Sequence, residues 1–378
     1  MSQLIAFSVM IAGGLSYVSW RPIGDRGDEA TWWRGMTAGP DNVFSRAVTL
    51  EEKLRFLQAP RTYGLADAKV ETIETHMSYV FLAGARAYKL KKPVRYPFLD
   101  FSTLAARERN CREELRLNRR LAPDVYLGVV PLVMTSCGFA MGGEGTVVDW
   151  LVEMRRVPRG LTLQARIEWD GVGNAETDAI CDVLARFYRH ADVSALAPEA
   201  YAARFVREQR LNRDALTRPG FGLKAERLRT LDLLDARLAS HRADLEARAR
   251  CGCVVDGHGD LRPEHICLTR PIVIFDCLEF NAELRQVDPF DEIALLGVEC
   301  ARLGAPQLLR RFAEALGRRL GVAPPWDMVA LYAAWRGALR ARLSIAHLLE
   351  PSPREPERWG PQADLYLDIA ARALEGAF

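Results

Sequence analysis

One stretch constrains this chain more than any other: Val254-Val255-Asp256-Gly257-His258-Gly259-Asp260-Leu261-Arg262-Pro263-Glu264-His265-Ile266-Cys267-Leu268. Shortly after it comes a second block, Ile272-Val273-Ile274-Phe275-Asp276-Cys277. An apolar run enters a polar loop, a short apolar piece leaves it, and a β-branched strand then delivers one carboxylate at its end. Loops anchored between rigid strands are where chemistry is usually placed. Two aspartates held this way can divide a labour. One can accept or orient a hydroxyl proton while the other holds Mg²⁺, a hard cation suited to carboxylate oxygen. His258 joins Asp260 as a candidate catalytic residue, chiefly as a brace bonded to backbone, and Gly259 allows a tight bend beside it.

Upstream the pattern is strand-rich. Residues 70–73 alternate, 79–82 are continuously apolar, and Ala83-Gly84-Ala85-Arg86 supplies a turn before 87–90, which predicts a three-strand meander. The polar loop Glu74-Thr75-His76-Met77-Ser78 can offer backbone N–H groups and hydroxyls, Ser78 among them, to phosphates. Of six lysines in the chain, three are Lys89, Lys91 and Lys92. Lys89 and Lys91 project to one face of a strand, and a compact ammonium there suits point-charge contact with phosphate. A helix is predicted over 103–121 with Ser102 as N-cap, followed by strands over 126–134 and 147–157. From residue 160 strand signals vanish. Helices are predicted over 177–190, 199–217, 224–250, 289–303, 306–320, 325–349 and 361–374, several opened by Pro. Strands first and helices after make an α+β chain of two lobes.

The loop and strand together resemble those of the aminoglycoside phosphotransferase-like kinases of the protein kinase-like superfamily, whose pattern reads HGDxxxxN followed by a strand ending in Asp. His258, Gly259 and Asp260 match the loop and Asp276 the metal strand, while His265 stands where the pattern has Asn. The stretches YKLKKP, LNRRLAP and HGDLRPEHI are similar to those of an uncharacterised bacterial branch of that superfamily. Members of the branch are sometimes fused to a nucleotide kinase domain, which is not expected in this chain. The resemblance implies a bilobal fold, with an antiparallel five-stranded N-lobe plus one helix over 49–157 and a mostly helical C-lobe over 158–378. It further implies ATP, Mg²⁺ and a small-molecule acceptor with a hydroxyl or amine.

Kinases of this fold pair a third-strand lysine with a glutamate of the next helix. The local pattern favours Lys89, with Lys91 as the alternate, and Glu114 over Glu113 as partner. Met154 and Arg155 would lie at the hinge that receives adenine through backbone groups. His265 is read as a metal ligand of an unusual kind, since imidazole binds Mg²⁺ poorly and prefers softer metals. Either Mn²⁺ serves there, or one metal suffices, or His265 donates to phosphate, or turnover is impaired.

A net charge of +2, with Arg interleaved among Glu and Asp, lacks the basic excess of a nucleic-acid surface. Eight cysteines without a paired framework read as reduced and the chain as cytoplasmic. Residues 1–48 are read as an extension, disordered or begun at an upstream start. Residues 4–20 are apolar, yet short for a membrane span and broken by Gly13-Gly14, so a membrane anchor is not expected. Two other readings stay open. One is a nucleotide-binding pseudokinase, and the other is a phosphohydrolase with His258, Asp260, His265 and Asp276 as metal ligands.

Overall fold

A computed structural model describes residues 48–66, 69–96, 99–221, 225–349, 353 and 355–377. The N-terminal extension and residues 4–20 lie outside the described residues. Among those described, no helix is long and apolar enough to cross a membrane.

The chain first forms helix α1 (Leu50–Gln58), which begins with a reciprocal cap. The Thr49 hydroxyl accepts from the Glu52 N–H at 3.2 Å, and the Glu52 carboxylate accepts from the Thr49 N–H at 2.8 Å. Strands β1 (Glu71–Glu74), β2 (Ser78–Ala83) and β3 (Arg86–Lys91) form the meander, and β2 and β3 turn tightly at the Ala83–Arg86 pair. A small ladder of β4 (Arg95–Tyr96) and β5 (Leu99–Asp100) leads to α2 (Leu104–Asn118). Then come β6 (Tyr126–Thr135), β7 (Gly138–Met141) and β8 (Thr146–Arg155).

The sheet is antiparallel and runs β1-β2-β3-β8-β6-β7, six strands where five were expected. The extra strand is β7, only four residues long. Gly138 at φ 111° lets the chain turn back so that Thr135 pairs with Gly138. The cap of α2 is Thr103, not Ser102: the Thr103 hydroxyl accepts from the Ala106 N–H at 3.1 Å, while the Ser102 side chain is taken up by Asp100.

Leu57, Phe81, Leu90 and Leu151 fill one face of the sheet, against α1. Leu82, Cys111, Tyr126 and Val152 fill the other, against α2. Each such buried apolar side chain contributes about 1.5–3 kcal/mol. The two helices are also tied through the sheet, because both oxygens of the buried Asp149 are used. Lys53 of α1 and Arg107 of α2 each reach one at 2.7 Å.

The second lobe is helical: α3 (Leu163–Trp169), α4 (Asn174–His190), α5 (Pro198–Leu216), α6 (Ala225–Ser240), α7 (Arg242–Arg250), α8 (Pro289–Arg302), α9 (Gln307–Leu320), α10 (Trp326–Ala346) and α11 (Pro356–Leu374). Helix α3 was not expected. The single helix expected over 224–250 is broken at His241, where the Ser240 hydroxyl bonds back to the Arg237 carbonyl at 3.0 Å. Helix α11 begins at Pro356 and carries Pro361 inside it rather than at its start. Helix α10 is buried along most of its length and forms the spine on which α8, α11 and α5 pack. The Asp260 loop and the strand before Asp276 lie between the lobes, held by two-residue ladders only: β9 (Val255–Asp256) with β12 (Gln286–Val287), and β10 (Ile266–Cys267) with β11 (Val273–Ile274).

Candidate active site

The β3 register places Lys89 and Lys91 on one face, and both ammonium groups reach Glu114 of α2. Lys89 Nζ lies 2.8 Å from Glu114 Oε1 and 3.1 Å from Asp276 Oδ1. Lys91, fully buried, contacts the other Glu114 oxygen and also Glu279. Burial works against the charge on Lys89, but Asp276 and Glu114 outweigh it and hold its pKa well above the usual lysine value. For Asp276 burial again opposes ionisation, and Lys89 prevails, so its carboxyl is held below the usual range. Glu114 is lowered in the same way, against burial, by Lys89 and Lys91. Glu279 goes the other way, because burial exceeds the pull of Lys91. Two ammonium groups thus face three carboxylates. Of the three, Asp276 is the most exposed, with 31% of its side chain exposed against 0% for Glu114 and 7% for Glu279.

Asp276 does not end a long strand. β11 is two residues, and Asp276 sits beyond it at φ 61°, a left-handed conformation that a non-glycine residue adopts only when its surroundings impose it. Those surroundings are visible. The Asp276 N–H donates to the Tyr126 hydroxyl at 3.2 Å, and the next N–H, of Cys277, donates to Asn118 Oδ1 at 2.8 Å.

The Asp260 loop is shaped by its own side chains and by α8. The His258 Nε2–H donates to the Phe275 carbonyl at 3.0 Å, and its Nδ1 accepts from the Asp260 N–H at 3.3 Å. Gly259 has φ 86°, and a Cβ there would meet Arg285 Cγ at 3.0 Å and Leu278 Cβ at 3.1 Å. From below, the Glu292 carboxylate accepts from the N–H groups of His258, at 3.1 Å, and of Gly259. The Tyr188 hydroxyl donates to Glu292 at 2.8 Å. Asp288 is the N-cap of α8, accepting from the Phe290 N–H at 2.9 Å and pairing with Arg248, so the brace of the loop is Glu292, one turn further on.

His265 is fully buried. Its Nδ1–H donates to the Asp260 carbonyl at 2.8 Å, which leaves Nε2 as acceptor, 3.2 Å from Arg262 Nη2 and 3.5 Å from Asp276 Oδ2. Both ring nitrogens are thus engaged within the loop, Nε2 by Arg262. Arg262, overlooked in the sequence, is buried with Nε 3.1 Å from Asp260 Oδ2 and Nη1 3.0 Å from Glu264 Oε1. Its only signal was position, two residues after Asp260. The same bonds at His258 remove two ligands from the phosphohydrolase reading. Among the described residues, no group of three or more His, Cys, Asp or Glu is placed to hold a metal unaided.

The remaining candidates stand apart. Ser78 begins β2 opposite Lys91 and is buried, so the turn before it is made by Thr75, His76 and Met77. Met154 pairs with both Ala87 and Tyr126 inside the sheet. The Arg155 N–H donates to Val125 O at 2.8 Å and the Arg156 N–H to Ala85 O at 2.9 Å, so neither amide is left to receive adenine.

No family model matches the chain. It is 32% identical over 341 residues to uncharacterized proteins of Mycobacterium tuberculosis and Mycobacterium bovis, covering 85% of this chain. The chain spans 64% of the length of these relatives. Solved structures to which it is similar include the following three. A choline/ethanolamine kinase family protein from Mesorhizobium loti matches with TM-score 0.48 and 14% identity, over 86% of this chain and 98% of that one. An ethanolamine kinase of Plasmodium vivax matches with TM-score 0.47 and 10% identity, over 78% of this chain and 80% of that one. An aminoglycoside phosphotransferase from Streptomyces rimosus matches with TM-score 0.43 and 19% identity, over 76% of this chain and 98% of that one.

Proposed function

We propose that the protein is an ATP-dependent phosphotransferase acting on a small molecule, as the resemblance of its loop to the aminoglycoside phosphotransferase-like kinases implies. The observation that carries the reading is the chain of charges Glu114–Lys89–Asp276, which joins the sheet lobe to the metal strand at 2.8 and 3.1 Å. A lysine kept charged by its neighbours, beside the most exposed of three carboxylates, is a place for phosphate and a divalent cation. Lys89 would meet phosphate oxygens, and Asp276 would hold Mg²⁺ or Mn²⁺, which when bound neutralises phosphate charge. A single carboxylate suits Mg²⁺, which completes its shell with water and phosphate oxygens.

Asp260 would act on the acceptor. The acceptor oxygen or nitrogen forms a bond to the terminal phosphorus of ATP as the bond from that phosphorus to the leaving oxygen breaks. The electron pair of the broken bond stays on ADP, and the acceptor's proton passes to Asp260. Arg262 fixes the carboxylate's orientation, and His258 and Glu292 fix the loop that carries it. Engagement of His265 within the loop favours a single metal, and it also favours the second reading, a pseudokinase that binds nucleotide without turning it over.

Nucleotide binding and slow ATP turnover, measured on the wild type and Asp276→Ala with Mg²⁺ and then Mn²⁺, separate the two. The kinase reading expects metal-dependent binding and turnover in the wild type, with the metal dependence lost in the variant. Binding without turnover in either metal leaves the pseudokinase, and no binding at all removes both.

A further inference from the structure

The second lysine of β3 is placed differently from the first. The Lys91 side chain is 1% exposed against 14% for Lys89, and its ammonium is held between Glu114 and Glu279. The Phe101 ring lies over it, with the centroid 5.4 Å from Nζ. Burial works against the charge, yet Glu114 and Glu279 outweigh it and raise the pKa above the usual lysine value. A charge so enclosed cannot meet phosphate without leaving both partners. It acts on its neighbours instead.

The contacts form one chain, Glu279–Lys91–Glu114–Lys89–Asp276, in which each lysine is shared by two carboxylates. Both ends of the chain lie on the segment that follows β11. In the middle, Glu114 gives one oxygen to each lysine. Once Asp276 turns to a metal, Glu114 is the carboxylate left to compete with phosphate for Lys89. A carboxylate that also faces Lys91 holds Lys89 less tightly than one that faces Lys89 alone. At the far end, Lys91 is the only ion partner of Glu279 among the described residues. Burial already raises the Glu279 pKa, so without Lys91 its carboxyl takes up a proton and lets go. The amides of Asp276, Cys277 and Leu278 have bonds of their own, to Tyr126, Asn118 and the His258 carbonyl. Beyond Leu278, Lys91 is what ties this segment to the sheet.

We propose that Lys91 is a positioning residue: through Glu114 it leaves Lys89 available to phosphate, and through Glu279 it fastens the segment that carries Asp276. The inference rests on the reading of Lys89 and Asp276 as the residues that meet phosphate and metal. It gives Glu279 a part as well, as the hold by which Lys91 keeps Asp276 in place.

The test compares the wild type, Lys91→Met, Glu279→Gln and the double variant. Three quantities are read: stability in urea, amide exchange over residues 276–280 without nucleotide, and the Mg²⁺ concentration needed for calorimetric binding of a non-hydrolysable ATP analogue. Lys91→Met leaves two buried carboxylates short of a partner and should be less stable. The double variant removes one charge of each sign and should recover most of that stability. In both, exchange over 276–280 should quicken roughly tenfold or more, and the Mg²⁺ requirement should rise roughly 10–100-fold. Glu279→Gln alone keeps Lys91 on Glu114 and should show a smaller rise. Recovery of Mg²⁺ affinity together with stability in the double variant would mean that Lys91 only offsets buried charge, and it overturns the proposal. So does unchanged exchange, or faster exchange with an unchanged Mg²⁺ requirement. A wild type that binds no nucleotide, with exchange quickened in the variants, upholds the fastening and removes the kinase reading. Should Lys91→Met fail to fold, the double variant decides alone.

Discussion

Acidification from about pH 7 to about pH 4 sets His258 against its surroundings. The ring is fully buried, donates through Nε2 to Phe275 and accepts through Nδ1 from the Asp260 N–H. A second ring proton would abolish the latter bond. Burial, reinforced by His265, pushes the imidazole down from 6.5 to about 4. Between those values the unfolded chain binds the proton and the folded chain does not, so stability rises with pH across this window. The contribution is whole above 6.5 and is lost as pH falls through about 4. Worked from these two values, ~2 kcal/mol is gone by about pH 5 and ~3 kcal/mol by about pH 4.

Carboxylates titrate over the same range, so the measurement is a difference. Urea unfolding is followed at several pH values for the wild type and for His258→Gln, whose amide can donate to Phe275 but does not titrate. Between about pH 7 and about pH 5 the wild type should lose ~2 kcal/mol more than the variant. Parallel stability curves for the two proteins would refute the assignment of this proton to His258.

Gly259→Ala forces a side chain into φ 86° against Arg285 and Leu278. It should cost ~1–3 kcal/mol in urea unfolding and reduce turnover as the loop shifts. Glu114→Gln leaves two buried ammonium groups with one counter-charge fewer, and thermal and urea unfolding should register a loss of ~3–5 kcal/mol. Asp260→Asn should retain ATP binding by calorimetry while phosphoryl transfer falls ~10²–10⁴-fold, and unimpaired transfer would remove Asp260 from the chemistry.

What could be read from the sequence was what is local. The apolar run of β2, the turn after it and the two-residue period of β3 place Lys89 and Lys91 on one face without knowledge of anything distant. The Gly259 bend and its aspartate likewise announce themselves within a few residues. Partners brought by the fold were hidden. Glu279 becomes a partner of Lys91 only when the lobes meet, and Glu292 looks like one more acid in a helix until its carboxylate is seen to take two loop amides. The loop brace was hidden because it is a tertiary device, made by a side chain distant in sequence. Boundaries failed for local reasons with close competitors. Ser102 and Thr103 are both good caps, and the neighbouring Asp100 claims the first. β7 went unread because four residues, all half-buried, give no period to count.

The end of α2 has a consequence for how the site is put together. Within seven residues, Glu114 holds both lysines, Asn118 holds the Cys277 amide behind Asp276, and Arg120 takes the carbonyls of Asp256 and Gly257, each at 2.8 Å. Asn118 also donates to the Glu114 carbonyl at 3.0 Å, which stiffens the stretch. Charge clamp, metal strand and loop entry therefore hang from one rod. If the rod slides or tilts, all three contacts part together. The spacing of the lysines, Asp276 and the loop is thus set by one short stretch of chain.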